Sequence, residues 1–101
     1  MKRKLCFMFI NADMKEPERV VMNVGDNGEM IMVGVGSYDA AIKEAVKLTE
    51  DGIVALELCA GFGIIGQAKI KEAVKGKCIV GAARFDVHPG YDGISGDDKW
   101  L

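Results

Sequence analysis

The sequence predicts a single small α/β domain whose mainly parallel sheet contains about four to five strands. Three observations support this fold class. An apolar run at residues 4–10 is typical of a central strand that is buried on both faces. Helix-type and strand-type periodicities then alternate from residue 29 to residue 85, which predicts a βαβαβ core with parallel strands and right-handed crossovers. The turn sequence GDNG, between two segments rich in β-formers, indicates a hairpin.

The composition limits the classes of function. The chain has 101 residues, 50% of them hydrophobic and 28% charged, which is the mixture of an ordinary soluble domain with one core. Thirteen basic and 15 acidic residues give a net charge of −2, so the basic excess of a nucleic-acid-binding domain is absent. Residues 5–10 are shorter than the ~7–15 apolar residues of a signal peptide, and no run approaches the ~20 of a membrane helix. We therefore expect a cytoplasmic protein that binds neither nucleic acid nor membranes.

The hairpin follows a polar loop at residues 11–18. Its strands are predicted at residues 19–24 and 29–35. A short helix over residues 15–23 is the alternative. That helix is disfavoured by its β-branched side chains, which lose rotamer freedom in a helix: Val20, Val21 and Val24.

The segment at residues 37–50 is the clearest helix. Ser37 is placed to cap its first turn, and Gly52 follows its end. Its buried stripe is predicted to contain Tyr38, Ala41, Ile42, Ala45, Leu48 and Thr49. Its solvent-facing side is predicted to contain Lys43, Glu44, Lys47 and Glu50.

The second half of the chain continues the alternation. Residues 53–59 predict a strand, residues 64–75 a helix and residues 78–85 a last strand. The loop-rich tail at residues 86–101 completes the single domain. We expect Asp92, Asp97 and Asp98 to be solvated, because their spacing does not match a calcium loop.

The glycine-rich turn GFGIIG is the most suggestive motif. It follows a predicted strand and opens a predicted helix, where free backbone N–H groups attract anions. Its mid-chain position and the missing second half of a nucleotide-binding sheet count against a dinucleotide, so no cofactor is predicted. A small anionic metabolite and a purely structural tight turn both remain open. The predicted ligand-binding residues are Gly61, Phe62, Gly63, Arg84 and Asp86.

Three polar residues are candidates for catalysis. Glu57 interrupts an apolar strand, and Arg84 is a possible ion-pair partner. Cys59 lies where that strand meets the turn, so it is a candidate nucleophile. His88, the only histidine, follows the last strand and is a candidate general base. For each residue a structural reading is also open: an ion pair, a buried thiol and a surface imidazole.

Neither a metal site nor a disulfide is indicated. The three cysteines Cys6, Cys59 and Cys78 have no metal-ligand spacing, and buried reduced thiols are the simplest interpretation. Two helices cannot cover both faces of an apolar sheet, so we expect a homo-oligomer, with a dimer the commonest form. Trp100 in the tail also needs a surface on which to be buried.

The segments ELCAGFG (residues 57–63) and VGAARFDVHPGYDG (residues 80–93) resemble DUF6506, a family of small prokaryotic proteins of unknown function. The similarity extends through VGVGSYDAA (residues 33–41) and spans most of the chain. It implies one compact α/β domain and no established activity. Three function hypotheses therefore rest on the residues: a module that binds a small anion, a structural subunit, and an enzyme that uses Cys59 or Glu57 with His88.

Overall fold

A mixed five-stranded sheet forms the centre of the computed structural model, which describes residues 2–101. The strands lie in the order β2-β3-β1-β4-β5; β2 is antiparallel to β3, and the other neighbouring pairs are parallel. This arrangement confirms the predicted α/β class, the parallel core and the hairpin. The strands are β1 (Arg3–Ile10), β2 (Glu18–Val24), β3 (Gly28–Val35), β4 (Ile53–Leu58) and β5 (Ile79–Ala82).

Both long helices pack on the same face of the sheet. α1 (Tyr38–Glu50) connects β3 to β4, and α2 (Ile64–Ala73) connects β4 to β5. Both connections step in the same direction across the sheet, so crossovers of one hand place both helices on one side. The tail adds a 3₁₀ turn at Pro89–Tyr91 and a short helix α3 (Gly96–Trp100), where a loop was expected.

The main core lies between the helices and one face of the sheet, which we call the covered face. Alternate residues of β1, β3 and β4 point into this core, as the period-two pattern of a strand requires. All of them are buried: Cys6, Met8, Ile10, Ile31, Val33, Val35, Leu56 and Leu58.

The opposite face carries no helix, and we call it the bare face. Strand register sets two rows across it, the first formed by Met22, Met30, Leu5, Ala55 and Ile79. The second row is formed by Val20, Met32, Phe7, Glu57 and Gly81. The prediction that β1 is buried on both faces is wrong, because its second face is only half-buried.

The ionic environment of α1 also differs from the prediction. Glu44 was expected on the solvent-facing side, yet it is buried and accepts a hydrogen bond from Arg19 Nε at 2.7 Å. The Arg19 guanidinium also donates to Asp51 at 2.7 Å. It therefore links β2 to Glu44 within α1 and to Asp51 just after α1. Among the helices of residues 2–101, none is long and apolar enough to cross a membrane.

Candidate functional site

The topology creates a switch point at the carboxyl edge of the sheet. After β1 the chain turns towards the β2–β3 side, whereas after β4 it turns towards α2 and β5 on the other side. Because β1 and β4 are neighbours, their departing loops diverge. Open α/β sheets bind ligands in the crevice that such divergence leaves.

The glycine-rich turn beside this switch point already holds a carboxylate. The backbone N–H groups of Ile65 and Gly66 donate to Asp97 at 2.9 and 3.0 Å. The Tyr38 hydroxyl donates to Asp97 at 3.0 Å and accepts from the Gly63 N–H at 3.0 Å. The expectation that Asp97 is solvated is therefore wrong. The first turn of α2 needs acceptors, and its dipole favours a negative charge there.

The tail packs tightly on this turn. A Cβ on Gly96 would lie 2.6 Å from the Gly63 nitrogen, so Gly96 allows α3 to approach the turn closely. A Cβ on Gly66 would collide with the Tyr38 ring, which is itself stacked on Phe62 at 5.8 Å. Burial raises the pKa of Tyr38 to about 12, and its hydrogen bond to the Asp97 carboxylate acts in the same direction. The glycines of the turn thus serve close packing.

A small hollow lies beside the turn, at the switch point, and we call it the carboxyl-edge hollow. Its volume is about 200 Å³. The end of β1 and the loop after it form one wall, and the tail forms the other. Its lining residues are Ile10, Asn11, Ala12, Asp13, Gly90, Tyr91, Lys99 and Trp100.

The tail wall of the hollow combines a cation with two aromatic rings. Lys99 Nζ lies 5.0 Å from the centre of the Tyr91 ring and 5.4 Å from that of Trp100. The Trp100 indole N–H donates to the Tyr91 hydroxyl at 3.2 Å. Burial raises the pKa of Tyr91 above that of a free phenol.

Larger depressions lie elsewhere. One, of about 410 Å³, is formed by residues 13–18 of the loop after β1 and the start of β2. Three others, of about 460, 310 and 260 Å³, are lined largely by residues of the bare face. The exposed walls of these three are mainly apolar. The carboxyl-edge hollow is smaller, but it brings together an ammonium, a carboxylate, an amide and two rings. Because polar groups that converge on one point give a site its specificity, we regard this hollow as the candidate site.

Two of the predicted catalytic residues lie near this hollow. Cys59 Sγ accepts from the Gly61 N–H at 3.3 Å. A Cβ on Gly61 would lie 3.3 Å from that sulfur and 2.8 Å from the Tyr91 hydroxyl. His88 stacks on the Tyr91 ring at 4.4 Å, and its Nδ1 accepts from the Gly90 N–H at 2.9 Å. Cys59 and His88 therefore both lie close to Tyr91.

The other predicted residues lie apart. Glu57 is exposed on the bare face, between Phe7 and Gly81. Arg84 Nε bonds Asp86 at 3.1 Å, and both side chains are largely exposed because β5 ends at Ala82, earlier than expected. Within residues 2–101, no ion pair joins Glu57 to Arg84, and no hydrogen bond joins it to another candidate residue. The described residues also contain no group of three His, Cys, Asp or Glu side chains that could hold a metal ion.

The sequence reasoning missed the roles of three tail residues, Tyr91, Asp97 and Lys99. The Ser95 and Asp98 side chains form a capping box for α3, and their three-residue spacing is a signal for a helix start. No such signal links Asp97 to Gly66, because 31 residues separate them. The same holds for Lys99, whose position over the rings depends on how the tail folds back.

Fold and site together define a small single-domain α/β protein with helices on one side of its sheet and a polar hollow at the carboxyl edge. The chain belongs to the family of unknown function DUF6506, whose family model matches residues 3–98. This match confirms the resemblance seen in the sequence. No curated protein and no solved structure matches the chain.

Proposed function

We propose that the protein binds a small anionic metabolite in the carboxyl-edge hollow. The observation that carries this proposal is the coincidence of the hollow with the switch point between β1 and β4. The backbone N–H groups of the glycine-rich turn were the predicted anion ligands, but Asp97 occupies two of them. Lys99 therefore supplies the positive charge in place of those groups.

The lining residues suggest the chemistry of the ligand. Lys99 favours a carboxylate or phosphate group, and the rings of Tyr91 and Trp100 offer flat apolar contact. Across the hollow, Asp13 favours a hydroxyl or ammonium group on the same ligand. A volume of about 200 Å³ lies below the ~300–1,000 Å³ of drug-sized sites, which favours a small hydroxy- or amino-acid or a small phosphate ester.

A panel of such compounds, measured by thermal shift and then by calorimetry, tests the proposal. For a compound that binds, Lys99→Met is expected to weaken affinity at least about tenfold, because one charge contact is lost. Lys75→Met, which removes an exposed lysine from the turn after α2, serves as the matched control and is expected to leave affinity unchanged.

Arg84→Ala separates this site from the one predicted at first. If Arg84→Ala abolishes binding while Lys99→Met does not, the ligand binds at the end of β5 and the hollow is not the site. If no compound in the panel stabilises the protein, the proposed ligand class is wrong.

A second candidate function is catalysis by Cys59 with His88, favoured by their placement around Tyr91. Thiol labelling at neutral pH tests it. Burial raises the pKa of Cys6 to about 12 and also raises that of Cys78, so both are expected to react slowly. A catalytic Cys59 is expected to react faster than an unstructured cysteine peptide; a slower rate contradicts this function.

A structural role as a homo-oligomer is the third candidate, and the bare face supports it. We also propose a cytoplasmic location, which the three free thiols of the described chain support, because disulfides are rare in reducing compartments.

A further inference from the structure

The bare face has the character of an interface. Nine of the ten residues in its two rows are apolar, and the exception is Glu57. Arg3 and Glu18 lie on the same face at opposite ends of the strands, beyond these rows. Its outer strands are especially open: Val20 is 69% exposed and Ile79 is 76% exposed. A contiguous apolar surface of this extent often marks an interaction site.

We propose that two copies of this chain pack bare face to bare face about a two-fold axis that runs parallel to β1. Such an axis places β1 opposite β1 of the second copy, β3 opposite its β4, and β2 opposite its β5, because β1 is the central strand. The strands of the two sheets then stay roughly aligned, as in a β-sandwich. This inference does not depend on the proposed ligand.

Side-chain size supports this axis. Along the first row, Met30 of one copy lies opposite Ala55 of the other. Along the second row, Val20 lies opposite Gly81 of the other copy. In these two pairs a large side chain of β2 or β3 meets a small residue of β4 or β5, which is the complementarity that close packing requires. At the outer end of the first row, Met22 meets Ile79 of the other copy.

Charge also favours this axis over an axis perpendicular to the strands. A perpendicular axis would stack β4 on β4 and bring the two Glu57 side chains towards each other between the sheets. Two carboxylates in a poorly solvated interface repel. The parallel axis separates them laterally by two strand spacings, about 9.6 Å, in addition to the ~10 Å between the sheets.

The bare face is large enough for a specific dimer. Five strands span about 24 Å, and six residues of strand span about 20 Å, so two copies would bury about 1,000 Å² in total. That estimate reaches the lower limit for a specific interface, at which micromolar dissociation constants are common.

Two variants of one strand test the face. Val20 and Val21 are adjacent valines of β2, 69% and 54% exposed, but Val20 lies on the bare face and Val21 on the other. Sedimentation of the full chain is expected to show a dimer. Val20→Lys is expected to raise the dissociation constant of the dimer at least about tenfold. The matched Val21→Lys is expected to change that constant less than about twofold.

A charge pair tests the axis. Met32 of one copy lies opposite Glu57 of the other, so the lysine introduced by Met32→Lys can pair with that carboxylate. Met32→Lys is therefore expected to dimerise at least about tenfold more tightly than Val20→Lys at low salt. Adding Glu57→Gln to Met32→Lys is expected to remove this advantage.

Each alternative result overturns part of the inference. A wild-type chain that stays monomeric at about 100 μM, well above a micromolar dissociation constant, excludes the dimer. Equal weakening by Val20→Lys and Val21→Lys indicates pairing along the free edge of β2 rather than contact through the face. If Met32→Lys is as disruptive as Val20→Lys, the face is correct and the axis is wrong.

Discussion

The two faces of the sheet are nearly alike in sequence and different in environment. Along β1, Cys6 and Met8 on the covered face alternate with Leu5 and Phe7 on the bare face, and all four are apolar. The covered-face side chains of β1 are buried beneath the helix layer, whereas its bare-face side chains stay half-exposed. An apolar side chain therefore shows that a face avoids water, but it does not show what covers that face.

Chain topology accounts for this difference better than composition does. Because both crossovers step in the same direction, the single-handed rule places both helices on one side. A parallel sheet normally has both faces covered, yet this chain has no further long helix in the part that the structure describes. The bare face therefore has the apolar composition of a buried face, although no helix of the described chain covers it.

The largest effect on the free energy of unfolding is expected when a methionine of the covered face is truncated to alanine. A methionine of the bare face provides the matched comparison. Met8 is 0% exposed and Met32 is 48% exposed. Met8→Ala removes a fully packed side chain and leaves a cavity, so it should lower the free energy of unfolding by about 2–5 kcal/mol. Met32→Ala, at protein concentrations below the dimer dissociation constant, should lower it by less than about 1 kcal/mol. Urea denaturation measures both values.

Equal losses for the two variants would contradict the contrast between the faces. A loss at Met32→Ala that grows with protein concentration would instead sharpen it, because that dependence would arise from a contact between copies.

The elements of the fold could be predicted from local signals. The helix at α1 was readable from its stripe and from Ser37, whose hydroxyl accepts from the Ala40 N–H at 3.0 Å. The end of α1 could be predicted from Gly52, and the structure gives this residue a φ of +96°, which glycine adopts readily. These signals lie within a few residues of the features that they indicate.

The candidate site depended on contacts that no local pattern encodes. Asp97 reaches α2 and Lys99 reaches the rings of the hollow because the tail folds back over the switch point. Glu44 was misplaced for the same reason. Helical periodicity put it on the solvent-facing side, but the hairpin brings Arg19 over that side and Glu44 is buried beneath it.

A smaller effect is expected where the hairpin meets the helix layer. Arg19→Met leaves the Glu44 carboxylate, only 7% exposed, without its cation. Because Arg19 itself is partly exposed, we expect a loss of about 2 kcal/mol, below the ~3–5 kcal/mol of a fully buried pair. Chemical denaturation should show that Glu44→Leu, added to Arg19→Met, recovers part of this loss.

The matched control is Arg84→Met, which removes an arginine from an exposed ion pair. Its expected cost is below about 0.5 kcal/mol, because water screens such pairs. If Arg84→Met costs as much as Arg19→Met, burial of Glu44 is not the cause of the larger loss.

The smallest effect on the free energy of unfolding is expected at alkaline pH, from the Cys6 thiol on the covered face. Burial raises the pKa of Cys6 from 9.0 in the unfolded chain to about 12 in the fold. The unfolded chain therefore loses this proton first, so the stabilisation is complete below pH 9 and is lost as the pH rises towards 12. Between pH 9 and pH 10 this one thiol should lower the free energy of unfolding by about 1 kcal/mol.

Comparison of the wild type with Cys6→Ala isolates that contribution from other groups that titrate in this range, such as Tyr38. The two rows of the bare face contain neither a thiol nor a phenol, so Met32→Ala should keep the wild-type dependence on pH. If Cys6→Ala loses stability as steeply as the wild type between pH 9 and pH 10, water reaches the covered face. The contrast between the two faces would then be smaller than their exposures indicate.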